Sequence, residues 1–503
     1  MIKSLSEKEI GVERPPVVAI IGHIDHGKST LLDYIRKSTV AQSETGGITQ
    51  HMSAYEVLHK NKAGVNKKIT FIDTPGHEAF GEMRGRGASV ADIIILVVAA
   101  DDGTKAQTIE AIKAIKESKT PYLVAITKID KPNANLEKTK QSLAEADVYL
   151  EGYGGHISFV PISSKSGEGI DELLEMILLT AELEDFKTNP GLPAEGVVIE
   201  ASRDPKKGLA ATLIIKDGTL RLGDFVVIGD VFSPVRIMED FTGKDVREAT
   251  AGSPVKIIGF SGEPKVGESF KTVFGKKEAR ALADSHKEYA SNDAREIASK
   301  EMEIPIILKT DVAGSIDAIS YEIKKLETDK VAFKMVYSAT GNISENDIKI
   351  ASGKPDTVVI GFNVGMEDTS KDLAERFGLK VETFDIIYKL VEWLGALAIE
   401  RTPQSAVEEM RGKLKVLKTF SKTKNKQVIG CRLQEGSISA GDKFKITRRE
   451  ALIGNGKILG LQQNKMEIKK IDTEGAEIGV HTDSSTEIAP GDILEIVSVK
   501  FVK

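Results

Sequence analysis

A run of five apolar residues, Val17-Val-Ala-Ile-Ile21, leads directly into Gly22-His-Ile-Asp-His-Gly27-Lys28-Ser29-Thr30, and a helical pattern follows. Strand, glycine-bracketed loop and helix, in that order, make a phosphate-binding loop. Successive backbone N–H groups of such a loop and the N-terminus of the helix behind it form a nest for anionic oxygens. Gly22 and Gly27 permit turns and a close approach to phosphate that a Cβ would obstruct. In this reading Lys28 reaches the β- and γ-phosphates and the Ser29 hydroxyl ligates Mg2+. His23, Ile24, Asp25, His26 and Thr30 complete the phosphate-facing turn. The segment constrains the chain to a mostly parallel α/β sheet with ligand loops at the strand C-termini. A glycine-rich turn holding nothing is the plain alternative; the simultaneous fit of all these positions argues against it.

Further segments occur where such a site needs them. Phe71-Ile-Asp73-Thr-Pro-Gly76-His77 closes a second apolar strand. Asp73 is placed to hold Mg2+, through water, opposite Ser29, and the Gly76 N–H to report a γ-phosphate that only the triphosphate offers. Between them lies Thr45-Gly-Gly-Ile-Thr49, whose glycines suit a loop that orders and disorders. The Thr49 hydroxyl is the expected second protein ligand to Mg2+. Ile126-Thr127-Lys128-Ile129-Asp130 follows another apolar strand. The Asp130 carboxylate can accept from guanine N1–H and the 2-amino group, donors that adenine lacks, while the Lys128 stem packs across the base. Ser163-Ser164-Lys165 follows the next strand, where the Ser164 N–H can donate to guanine O6. Each segment alone is an ordinary turn. Together, in this order, they specify a site for GTP/GDP and Mg2+. His77 is the candidate catalytic residue: a neutral imidazole beside Gly76 can orient the attacking water and stabilise the transition state without acting as a base. Its bland reading is a loop histidine. His23, His26 and His51 lack a matching Cys/His cluster and are not read as a zinc set.

The 503 residues suffice for three or four domains. The single cysteine, Cys431, excludes an intrachain disulfide and a Cys-rich zinc site. With no signal-like start and no long apolar run, the expectation is a cytoplasmic protein with no membrane partner, monomeric away from its partners. The patterning predicts a multidomain α/β and β architecture. A short polar lead covers 1–16. A P-loop GTPase domain covers 17–187, with strands at 17–21, 69–72, 93–98, 122–126 and 157–161 and helices at 29–37, 106–117, 135–149 and 169–182. A β-barrel is expected over 194–274, a long connecting helix over 275–302 and a second α/β domain over 303–394, with Tyr388–Trp393 as core packing. A helical connector is expected over 395–411, continuing past Pro403, before a C-terminal β-barrel over 412–503. Lys216-Asp-Gly218-Thr-Leu-Arg-Leu-Gly223-Asp224 is echoed by Gln434-Glu-Gly436-Ser-Ile-Ser-Ala-Gly441-Asp442, which predicts two related barrels around the α/β spacer. The chain carries a net charge of −6, yet residues 412–503 alone carry +6. Positive charge gathered at one end is a footprint for a polyanion; a merely solvated surface is the alternative.

At this point a resemblance emerges. Gly22–Thr30, Gly46-Gly-Ile-Thr-Gln-His51 and Asp73-Thr-Pro-Gly-His-Glu-Ala-Phe80 resemble the GTPase signatures of the bacterial translation initiation factor 2 family. So do Asp311-Val-Ala-Gly-Ser315, Ile360-Gly-Phe-Asn-Val364 and Ile386-Ile-Tyr388 in the second α/β unit, and the likeness runs over roughly 12–500. It implies a GTP-switched factor that binds the small ribosomal subunit and formylmethionyl initiator tRNA and promotes large-subunit joining. Hydrolysis would occur on the ribosome, where the sarcin–ricin RNA loop helps place His77. Ile24 and Ile48 match the apolar pair that screens this histidine; from the residues alone they restrict water or simply pack the loops. By the same resemblance the C-terminal barrel carries the initiator-tRNA contacts, and Cys431 matches a cysteine near the formylmethionine pocket. On residue type alone Cys431 is more often core than a contact. Lys422, Lys424, Lys426, Arg448 and Arg449 can engage RNA phosphates.

Some positions depart from the family. Ile478 replaces a second pocket cysteine, and Gln462-Gln463 replaces a basic pair. Thr127 stands where the guanine motif more usually has Asn, a change expected to alter N7 and loop contacts more than base identity. The family's amino-terminal extension is missing before the first strand, so auxiliary small-subunit anchoring is expected to be reduced or supplied elsewhere. Competing readings are an elongation or selenocysteine-type GTP-dependent tRNA carrier, and a noncatalytic GTP-dependent assembly module.

Overall fold

The computed structural model describes residues 11–36, 50–76, 78–204, 206–287, 302–328, 330–401, 405–463 and 466–502. They form two compact units, 1–398 and 399–503. The first begins with six strands: β1 (Val17–Gly22), β2 (Ser53–Lys60), β3 (Asn66–Asp73), β4 (Ile93–Ala99), β5 (Tyr122–Thr127) and β6 (Phe159–Pro161). Five helices alternate with them: α1 (Lys28–Arg36), α2 (Gly81–Val90), α3 (Ala106–Ser118), α4 (Leu136–Glu145) and α5 (Ile170–Glu184). The sheet order is β2-β3-β1-β4-β5-β6. All neighbours are parallel except the β2–β3 pair. Every residue of β1 and β4 is buried, as unbroken Val/Ile runs must be when helices cover both sheet faces.

Two elements escape the sequence pattern. The strand β2 is an edge with irregular burial. Helix α2 holds Gly81, Gly85 and Gly87 among ten residues, so propensity argues against it. Burial makes it: Met83, Arg84, Ala88 and Val90 are turned inward. The helix expected over 135–149 stops at Glu145, where Asp147 takes φ +59°.

Residues 195–273 form a seven-stranded antiparallel barrel sheet around Val198, Leu213, Ile257 and Phe270. A helix, α6 (Lys276–Lys287), lays Ala279 and Ala283 against Val227; residues 288–301 lie outside the described part. The spacer is a four-stranded parallel sheet in the order 331–340, 302–310, 358–362, 380–384. Its first helix is α7 (Ala313–Leu326). In the helix Ile387–Arg401 the buried stripe is Ile387, Leu390, Leu394 and Leu397. Tyr388, expected in the core, is instead about half exposed, and Trp393 packs on Phe384.

Buried polar groups stitch these parts together. The Arg14 guanidinium grips both oxygens of Asp92 at 2.5 and 2.9 Å, Val17 N donates to the same carboxylate at 2.9 Å, and Lys216 of the barrel pairs with it as well. Burial pushes the Asp92 carboxyl up, but the two cations outweigh it and hold it below the usual range. One apolar cluster joins Phe80, Met83 and Ala88 around α2 to Ile199 and Ile214 of the barrel and to Ile306, Leu308 and Ile319 of the spacer. At its margin Glu200 accepts from Ala201 N at 2.9 Å and Gly314 N at 3.4 Å.

The second unit opens with a strand, Ser405–Thr423, so the helix expected through 395–411 is corrected: residues 405–411 are extended. Pro403 lies outside the described residues. Strand Lys443–Arg448 pairs with both Ala451–Gln463 and Ile493–Val502, which closes a six-stranded ring. The echoed motif is one device built twice. Gly218 and Gly436 take φ +77° and +74°, and Gly223 and Gly441 both take +98°. The Asp224 carboxylate accepts from Arg221 N at 2.8 Å and the Asp442 carboxylate from Ser439 N at 2.7 Å. Val235 N then returns to Asp224 O, and Ile458 N to Asp442 O.

Burial raises the Glu200 carboxyl to about 7, whereas an unfolded Glu titrates near ~4.3. The folded state therefore loses stability as pH climbs through 7, because the carboxyl must ionise while buried. Glu200→Gln has no charge to bury. It is expected to gain, relative to wild type, on the order of 2 kcal/mol between pH 5.5 and pH 8.5 in thermal unfolding. Parallel pH profiles for the two proteins would remove this role.

Candidate functional site

Strand β1 delivers the chain to the loop with Gly22 pressed on β4: a Cβ there would meet Val97 O at 2.5 Å. Asp25 and Gly27 take φ +60° and +89°, the left-handed turns that aim successive N–H groups to one side. Lys28 is buried, and its Nζ donates to Gly22 O at 2.9 Å and His23 O at 2.6 Å. Burial pulls its pKa down to about 8, against the opposing attraction of Asp73. His26 is fully buried with Nδ1 3.4 Å from Val97 O, and burial, then the neighbouring His23, drives it down to about 4. It is therefore a neutral packing residue of the loop floor at neutral pH. Ile24 is half-buried, its N–H donating to Gln107 Oε1 at 3.1 Å. Ser29, the second residue of α1, is half-buried, and Thr30 is exposed.

Strand β3 ends beside β1, with Asp73 in register with Ile20. The Thr74 hydroxyl donates to Ile20 O at 2.8 Å. A Cβ on Gly76 would come 2.4 Å from Lys28 Nζ and 3.3 Å from Ile24 N, so Gly76 lies directly on the phosphate loop. The buried Arg84 of α2 fixes this approach, donating to Pro75 O and Gly76 O at 3.5 and 3.3 Å and to Glu110 at 3.0 Å. Neither Arg84 nor Gln107 stood out in the sequence, since each acts through main-chain atoms that no spacing rule marks.

On the far side, β5 ends at Thr127, whose hydroxyl donates to His26 O at 2.6 Å. Lys128 takes φ +59°. The Asp130 carboxylate accepts from Ser163 Oγ at 2.7 Å, and that bond holds it below the usual carboxylate range. Ser164 and Lys165 occupy the turn that follows Ser163. The structure thus brings Gly22–Thr30, Asp73 and Gly76 together at one end of the sheet, and ties the Thr127–Asp130 and Ser163–Lys165 turns to each other. Thr49, Ile48 and His77 lie outside the described residues. The residues just beyond Thr49 are anchored on the spacer: Gln50 Nε2 donates to Asp385 O at 3.0 Å, and His51 Nε2 lies 3.3 Å from Asp311.

Comparison with known proteins gives the same picture. Residues 13–182 match the Elongation factor Tu GTP binding domain, 193–273 Elongation factor G domain 2, and 277–394 Translation-initiation factor 2. The chain is 41% identical over 501 residues to translation initiation factor IF-2 of Rubrobacter xylanophilus, covering 97% of this chain and 72% of that protein. The corresponding protein of Clostridium novyi is 39% identical, with 100% and 74% covered. That of Nitratiruptor sp. is 40% identical, with 96% and 58% covered.

The chain belongs to the translation initiation factor IF-2 family. It is a GTP-binding translational GTPase. A solved structure, GDP-bound aIF5B from Aeropyrum pernix, is 26% identical with a TM-score of 0.46 over 96% of this chain and 92% of that one.

In the terminal barrel of this IF-2 family member, Cys431 is fully buried in the core and stands in register with Ile478. Gln462 pairs across to Gly479 and Glu467, and Gln463 to Met466. Arg448, one of the cations expected to engage RNA phosphates, is exposed and also grips both oxygens of Asp492 at 2.7 and 2.8 Å and Glu487 O at 3.0 Å. Lys422 bonds Glu487 at 2.8 Å, and it, Lys424, Lys426 and Arg449 are all exposed.

Two predictions follow from these placements. A Cβ at Gly85 meets nothing within 4 Å, whereas one at Gly87 would strike Thr74 Cγ2 at 2.6 Å. Gly85→Ala should stabilise α2 by about 1 kcal/mol and slow amide exchange over 82–90, and Gly87→Ala should speed it; indistinguishable exchange in the two variants would refute the packing described. Burial pushes the Cys431 thiol up to about 12. A disulfide reagent at pH 8 should therefore leave the native protein unmodified and titrate one thiol in denaturant. Prompt native reaction would place that thiol outside the core.

Proposed function

We propose that this chain is a ribosome-triggered GTPase that carries formylmethionyl initiator tRNA to the small subunit and promotes joining of the large one. The observation that supports this most is the contact of Gly76 with Lys28. It puts the end of the Asp73–Gly76 segment on the phosphate loop, while α2, a few residues further along, packs into a core shared with the barrel and spacer. A γ-phosphate entering between Lys28 and the Gly76 N–H shifts that segment, and the shift is felt in the packing of all three parts.

The residues fit the nucleotide. Gly76 leaves a cradle that a Cβ would fill, and the buried ammonium of Lys28 has charge to offer the phosphates. Ser29 and Asp73, with Thr49, are hard oxygen donors suited to Mg2+. When bound, Mg2+ neutralises charge on the β- and γ-phosphates. Asp130 reads the guanine N1–H and 2-amino group, and Ser164 N donates to O6. His77 orients the attacking water, with the sarcin–ricin loop of the large subunit positioning its ring. Gln50 and His51, next in sequence to Thr49, are held on the spacer.

GTP turnover with and without 70S ribosomes tests this. Ribosomes are expected to raise the wild-type rate at least ~100-fold, and His77→Ala to abolish most of that gain with GTP affinity changed less than about threefold. Equal rates in the two proteins defeat the role given to His77. Filter binding that shows no preference for formylated initiator tRNA over elongator tRNA defeats the cargo assignment.

A further inference from the structure

Thr127 ends β5 beneath the phosphate loop. It is buried, and its side chain is the nearest group to an imagined Cβ on Gly27, at 3.8 Å. Its hydroxyl has one hydrogen, and that hydrogen is spent on His26 O at 2.6 Å. A hydroxyl's remaining capacity is to accept. Guanine N7 is itself an acceptor, so this side chain cannot serve it while the loop bond stands. The rest of the inference rests on the GTP site proposed above. Asp130 fixes the N1 and 2-amino edge of the base and Ser164 N fixes O6. The next hydrogen-bonding atom round the base from O6 is N7, and the side chain lying between the base turns and the phosphate loop is Thr127. An amide at this position would carry two hydrogens, one for the His26 carbonyl and one for N7. A threonine keeps the tie to the loop and lacks the second donor.

We propose that Thr127 makes this site indifferent to guanine N7: the base is selected wholly through its N1, N2 and O6 edge, and Thr127 acts on the phosphate loop alone. Asp130 is well prepared for this task, because the Ser163 hydroxyl orients its carboxylate and keeps it ionised. The consequence is a looser hold on the nucleotide and faster spontaneous exchange than an amide at position 127 would give.

Titration calorimetry of the full chain with GDP and with 7-deaza-GDP, which replaces N7 by C–H, tests the assignment. Wild type is expected to bind the two within about twofold of each other. Thr127→Asn is expected to tighten GDP roughly 10-fold, the effect of one added hydrogen bond, and to leave 7-deaza-GDP within about threefold of wild type. Thr127→Val removes the loop bond and should weaken both nucleotides alike. Inosine diphosphate, which lacks the 2-amino group, should bind wild type at least ~10-fold more weakly than GDP. A wild-type protein that binds 7-deaza-GDP more than about fivefold worse than GDP overturns the proposal without need of any variant. So does Thr127→Asn tightening both nucleotides equally. A protein that binds GDP well but fails these comparisons loses only the N7 claim; one that binds no guanine nucleotide loses the GTP site with it.

Discussion

A lysine ammonium taken out of water is tolerated only with compensation, and Lys28 has it from two main-chain carbonyls, Gly22 O and His23 O. Much of the surrounding geometry follows from keeping that charge buried and forward-facing. The carbonyls must turn back toward Nζ, which forces the left-handed backbone at Asp25 and Gly27. Gly22 must crowd Val97, and Gly76 must lack a side chain. Burial lowers the pKa of the lysine to about 8, a sign that its charge is under-solvated as it stands. A polyphosphate supplies what water has been denied.

The other constraint is coupling. Helix α2 is a poor helix by composition and a well-packed one by context, with Met83 seated where Gly314 of the spacer has no side chain. Arg86 reaches Asp317 of α7 at 2.5 Å, and Arg84 ties the same helix to the carbonyls of Pro75 and Gly76. One short, glycine-rich helix is thus held at one end by the phosphate-facing turn and along its length by two other domains. Its low intrinsic stability means that its order depends on those contacts.

Much of this was legible in the sequence, for identifiable reasons. Parallel strands buried on both faces are uninterrupted apolar runs, so β1, β4 and β5 announce themselves. Turn chemistry is local, so the Gly218/Gly436 echo resolves into the same pair of corners, down to the capping carboxylates of Asp224 and Asp442. What pattern could not supply was anything set by distant partners. Strand β2 lacks clean alternation because its edge packs irregularly. Helix α2 is hidden by its glycines. Arg448 shows no sign in the sequence of its ion pair with Asp492, which lies 44 residues away. The extended start at Ser405 was masked by helix-compatible residues around Pro403, where the hydrogen bonds that decide the matter come from Ile493–Val502.

The ring closure of the terminal barrel limits how it can be recognised. Ring closure gives each of its six principal strands a neighbour on both sides, while the ribbon of Ser405–Met410 and Ser498–Val502 runs on with pairing on one side alone, so the ring itself has no edge strand for an incoming chain to zip onto. Whatever docks there must be read by side chains and by loops such as 422–426, as a surface reads a shape.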